Sequence, residues 1–170
     1  MATTYKAIAT VEVGSGGAAT INFTSIPATY TDLLLKVSVR NSVSALDRNM
    51  PITFNSSSTG YSERLLYGNG SSASSINRAS SDLGYLYTNA ANSTSNTFNN
   101  FELYIPNYAG SNYKSTSADF VLENNATAAT NGLHAGLWSN SAAITSITIS
   151  ADGFSLVQYS TATLYGIKNS

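Results

Sequence analysis

The chain has 170 residues, a formal charge of -1, no Cys and one His, and only 10% of its side chains are charged. That fraction lies far below the roughly 25% of an average soluble domain. It excludes the clustered Lys and Arg that phosphate backbones demand and any thiolate or disulfide framework. Nucleophilic catalysis would have to rest on His134 alone.

A hydrophobic fraction of 42% is enough for one folded domain spanning 1–170. Period-2 alternation of β-branched and aromatic residues recurs along the chain. Tyr5 to Val13 sets Ala7, Ala9, Val11 and Val13 on one face and Lys6, Ile8, Thr10 and Glu12 on the other. Gly14 to Gly17 is expected to turn this strand into Ala18 to Phe23 as an N-terminal hairpin. Asp32 to Arg40 is the clearest strand, with Leu33, Leu35, Val37 and Val39 inward and Lys36, Ser38 and Arg40 outward. Asn41 to Asn49 reads as a loop, and Met50 to Asn55 as a strand with Ile52 and Phe54 inward.

Tyr61 to Tyr67 reads as a strand. Gly68 to Ser81 and Thr88 to Asn96 are Ser/Asn/Gly-rich and read as surface loops, with a weak strand at Asp82 to Tyr87 between them. Phe101, Leu103 and Ile105 alternate up to Pro106. Lys114 to Glu123 carries Ala118, Phe120 and Leu122 on one face, and Asn124 to Asn131 is a loop. Leu133, Ala135 and Leu137 alternate with His134, Gly136 and Trp138. Ile147 and Ile149 mark the next strand, Asp152-Gly153 a turn, and Val157 to Ile167 the last strand. No segment has a helical period with caps. Nine or ten strands in one domain predict an antiparallel jelly-roll-like β-sandwich. Its core is expected to hold Leu33, Leu35, Val37, Val39, Phe101, Leu103, Phe120, Leu122, Leu133, Leu137, Ile147 and Ile149.

Candidate chemistry is sparse. Glu63, Glu102 and Glu123 fall on solvent faces or strand ends in this pattern, which predicts no paired carboxylates across a cleft. No metal or cofactor is expected, since Asp47 and Asp152 read as turn residues before they read as calcium ligands. His134 shares a strand face with Trp138, an arrangement suited to a partner contact. Ile8, apolar on the face opposite Ala7, Ala9, Val11 and Val13, points to a strand covered on both sides. No apolar run approaches the roughly 18 residues of a membrane span, and residues 1–6 show no cleaved secretion signal.

Three segments carry a resemblance: Met50-Pro51-Ile52-Thr53-Phe54-Asn55 followed by Gly60-Tyr61-Ser62; Ile105-Pro106-Asn107-Tyr108-Ala109 with Lys114; and Ala143 to Ile149 leading to Ser160-Thr161-Ala162-Thr163-Leu164-Tyr165-Gly166-Ile167. In this order they resemble small virion structural proteins of tailed bacteriophages, especially those infecting aquatic bacteria and cyanobacteria. The resemblance implies a β-sandwich on the particle exterior, assembled in the host cytoplasm. Its role would be that of a head decoration (cement) protein, a homotrimer clamping the major capsid protein at threefold positions. The alternative it implies is a tail-fibre adhesin whose Ser/Asn/Gly loops meet a host-surface glycan or protein. Where such proteins carry an acidic residue after the Phe-Asn pair, this chain has Ser56-Ser57-Ser58, so a shared ion site at that loop is not carried over.

Overall fold

The computed structural model describes residues 4–123 and 129–168. Thirteen strands run β1 Tyr5–Glu12, β2 Thr20–Phe23, β3 Asp32–Val39, β4 Asp47–Asn49, β5 Ile52–Phe54, β6 Tyr61–Gly68 and β7 Ala73–Ser80. They continue with β8 Tyr87–Asn89, β9 Asn99–Ile105, β10 Lys114–Val121, β11 Asn131–Trp138, β12 Ile147–Ser150 and β13 Thr161–Ile167. No helix occurs among the described residues. Eight strands form one antiparallel sheet in the order β1-β13-β3-β9-β10-β11-β6-β7. A three-stranded sheet, β2-β12-β5, and a two-stranded ribbon, β4-β8, complete the chain.

The fold is an antiparallel β-sandwich. Ile21 and Phe23 of β2, Ile52 and Phe54 of β5, and Ile147 and Ile149 of β12 share one core with Leu33, Leu35, Val37, Phe101, Leu103, Phe120 and Leu164 of the large sheet. Period-2 side-chain direction makes each strand contribute one apolar face to that interior. An aromatic trio joins the two layers: Phe54 lies edge-on to Trp138, with centroids 5.7 Å apart, and Tyr61 stacks on Trp138 at 6.1 Å.

Several sequence expectations change here. The N-terminal hairpin does not form, because β1 pairs with β13 and β2 with β12. The Gly14 to Gly17 turn instead carries the chain from one sheet to the other. Gly68 to Ser81 is largely strand β7, paired with β6 from Gly68↔Ala73 to Tyr61↔Ser80. The ladder needs only backbone groups, so a Ser-rich strand suffices at a sheet edge where one side stays solvated. The tight connection is local: Asn69 Oδ1 accepts from Ser71 N and Ser72 N at 3.1 and 2.9 Å, and Gly70 takes a φ of 84°. Of the Asn124 to Asn131 loop, residues 124–128 lie outside the described residues.

Thr88 to Asn96 is not a surface loop throughout either. Thr88, Asn89 and Ala90 are buried, and the following turn wraps the guanidinium of Arg40. Arg40 was expected outward on β3; it is buried just past the strand end. Its Nη1 donates to Thr94 O and Thr97 O at 2.8 Å, and its Nη2 to Ser93 O at 3.0 Å and Ala91 O at 3.3 Å. Its side chain thus fills carbonyls that this irregular segment leaves without ladder partners. Burial holds the guanidinium below its ordinary value. Asp32, on the same strand, is also buried: it accepts from Tyr104 Oη and Asn107 N, both at 2.9 Å, and so anchors the turn after β9.

Candidate interaction face

The inward side of β11 holds His134, Gly136 and Trp138, and the outward side Leu133, Ala135 and Leu137. The expected phase is therefore reversed. Leu133 is 62% exposed and Leu137 half-buried, so neither belongs to the core proposed for them, whereas His134 and Trp138 are buried. Neither can serve as a surface partner contact.

The physical reason sits on the neighbouring strands. Glu63 of β6, expected at the solvent, points inward with 1% exposure. Its Oε2 lies 2.7 Å from His134 Nε2 and accepts from Tyr85 N at 3.0 Å; its Oε1 accepts from Arg78 Nε and from Gly84 N. Arg78 also donates to Asp82 Oδ1 at 2.7 Å and stacks over Tyr85, with its guanidinium carbon 4.6 Å from the ring centre. Burial pushes the Glu63 carboxyl up, but the bonds from His134, Tyr85 and Arg78 outweigh it and hold it below the ordinary carboxylate value. An ionised carboxylate only accepts, so Nε2 of His134 carries the proton of their bond. The bond to Glu63 offsets the burial of His134, so this phase prevails although it leaves Leu133 outside. Gly132 and Gly136 complete the fit, since a Cβ on either would run into Phe120 or Thr116.

Glu63 and His134 are enclosed within the sandwich, Arg78 and Asp82 reach its edge, and the cluster ties β6, β7, β11 and the 82–85 segment together. Among the described residues, no three His, Asp or Glu side chains gather as metal ligands. Asp152 pairs with Arg48 at 2.7 Å within a turn where Asp152 and Gly153 both have positive φ. Asp47, whose carboxyl burial pushes up, sits apart on β4.

At β1 a register shift between Ala7 and Ala9 leaves Ile8 as an extra residue. The bulge turns Ile8 toward the core, where it packs beside Val11, and Val13 is fully enclosed. Ala7 then falls opposite Tyr165 on the outer side, and Ala9 opposite Leu164 on the inner side. The residues expected to form a subunit contact are thus divided between the two faces. Ile8, the residue that argued for a second covered face, is accounted for by the chain's own interior.

What the fold leaves bare is the outer face of the eight-stranded sheet. No element of the described chain covers it. Across the β1-β13-β3-β9 end it presents Tyr5, Tyr165 and Tyr104, with Leu34 buried between them, around one ion pair, Lys36–Glu102 at 2.6 Å. Across the β10-β11-β6 end it presents Asp119, Leu133, Leu66 and Arg64 among Ser and Ala. Four shallow depressions lie on this face, one of them lined by Tyr5, Leu34, Lys36, Glu102 and Tyr165. Hydroxyls, small side chains and half-exposed rings on a continuous ladder make a flat platform with few charges. The alternating pattern of the sequence marked Lys36 and Glu102 as outward but set Leu133 in the core, and it did not show that the outward side of so many strands would form one open surface.

Comparison with models of known protein families finds no match, and comparison with curated proteins finds none either.

Proposed function

We propose that this chain is a non-enzymatic virion structural protein of a tailed bacteriophage, a head decoration protein seated on the major capsid protein. The observation that carries the reading is the open outer face of the eight-stranded sheet. Its Tyr5, Tyr104 and Tyr165 end offers apolar and hydroxyl contacts held rigidly by the ladder, with Lys36 and Glu102 paired to each other. The resemblance in the three segments supplies the particle. Multivalent docking of such a face on a repeating lattice gains avidity without any one strong contact. Low charge makes that docking insensitive to salt.

The adhesin alternative loses part of its surface. Most of the Gly68 to Ser81 stretch is ladder-paired, and the Thr88 to Asn96 stretch is folded around Arg40. The homotrimer implied by the resemblance has no residue of its own in support once Ile8 packs inward.

The test is to label the protein and image the virion. Hundreds of copies spread over the head support decoration. A few copies at the tail tip reject it and favour the adhesin, and absence from purified particles rejects both.

A further inference from the structure

We propose that the β10-β11-β6 end of the outer face binds a second copy of this chain about a two-fold axis. This inference rests on the residues of that end alone and is independent of the virion reading.

Leu66 and Leu133 stand directly opposite each other across β6 and β11 and are 54% and 62% exposed. Side chains paired in this way on one face touch and act as a unit. Their neighbours along the strands are Arg64, which pairs with Ala135 across β6–β11, and Asp119, which pairs with Leu133 across β10–β11. Among the described residues neither Arg64 nor Asp119 has an ion pair, whereas Lys36 and Glu102 on the same face pair with each other. A shallow depression borders the leucine pair on each side.

The layout makes the patch its own complement. Arg64 lies on β6 and Asp119 on β10, two strands and one outward step away, or about 10 Å across and about 7 Å along the sheet. Their midpoint falls on β11 between Leu133 and Ala135. A two-fold axis lying in the contact plane through that midpoint, perpendicular to the Arg64–Asp119 line, places Arg64 over the partner's Asp119, and the reverse. The same operation brings Leu66 beside the partner's Leu133. An isologous interface requires a patch of this kind, with apolar centre and opposite charges exchanged by the symmetry. With a net charge of only -1, two copies meet without appreciable repulsion.

Sedimentation velocity on the full chain at tens of micromolar reads the outcome. A dimer is expected, and Leu133→Asp, an outward substitution that leaves the β-sheet circular dichroism unchanged, is expected to give a monomer. Arg64→Asp and Asp119→Arg are each expected to weaken dimerisation at least tenfold. Mixing these two variants is expected to restore dimers, because each then meets the opposite charge on its partner, and so is combining both changes in one chain. Wild-type monomers or trimers, a dimer indifferent to Leu133→Asp, or a mixture of the two charge variants that stays monomeric would each overturn the proposal.

Discussion

Glu63 Oε2 and His134 Nε2 meet at 2.7 Å inside the sandwich from positions 71 residues apart. The pair sets which side of β11 faces inward, and through Arg78 it holds the edge strand β7 against the sheet. A buried carboxylate in this setting is costly to disturb, because His134 beside it is fully enclosed and has no water to turn to.

Glu63→Gln is expected to cost about 3–5 kcal/mol, the usual range for removing one member of a buried ionic cluster. It leaves the Arg78 guanidinium short of its compensating charge. The urea midpoint of the variant, with the slope unchanged, measures the loss.

The same group sets an acid limit on stability. The Glu63 carboxyl is held below its ordinary value of 4.5, so its contribution is complete above that pH and disappears as the pH falls through the folded-state value. Urea midpoints are therefore expected to fall below about pH 4.5 for the native chain, and to fall less steeply for Glu63→Gln. Equal slopes in the two proteins would show that other carboxylates carry the acid response.

Arg40→Lys is expected to destabilise by about 2–3 kcal/mol, since an ammonium cannot reproduce the planar fork that reaches the carbonyls of Ala91, Ser93, Thr94 and Thr97. Amide exchange across residues 91–97 should quicken more than exchange in β10. Uniform quickening would mean that the guanidinium supports the whole sandwich rather than this turn.

Gly136→Ala is expected to cost about 1–3 kcal/mol by overpacking. Its Cβ would lie 2.6 Å from Thr116 Oγ1 and 2.8 Å from Leu83 Cδ2. Gly14→Ala, which meets no atom within 4 Å, serves as the control and should stay within about 0.5 kcal/mol of the native midpoint.

Trp138 is the chain's one tryptophan and is 1% exposed. Native emission is expected to be blue-shifted and poorly quenched by acrylamide, moving to the red on unfolding. Trp138→Ala, which empties the site against Phe54 and Tyr61, should cost about 3–5 kcal/mol, and Trp138→Phe distinctly less. Efficient quenching in the folded state would place the indole at the surface.

The sequence by itself determined the strand period, the all-β class and most of the core. Leu35, Val37 and Val39, or Phe101 and Leu103, alternate with polar or half-polar residues in a way that only one sheet face can satisfy. Composition also marked the weakly charged surface, which needs no tertiary information. Tertiary structure decided the phase wherever both strand faces could be buried. In β11 the apolar set Leu133, Ala135 and Leu137 stayed outside, because Glu63 on β6 offered His134 a bond and the glycines gave Phe120 and Leu83 room. Strand β7 was illegible for a related reason: its ladder is backbone to backbone, and Ser side chains report nothing about it. The inward turn of Ile8 depends on an extra residue in register with β13, and Arg40 on a turn more than fifty residues downstream. Local pattern fixes what a strand can bury, whereas partners distant in sequence decide what it does bury.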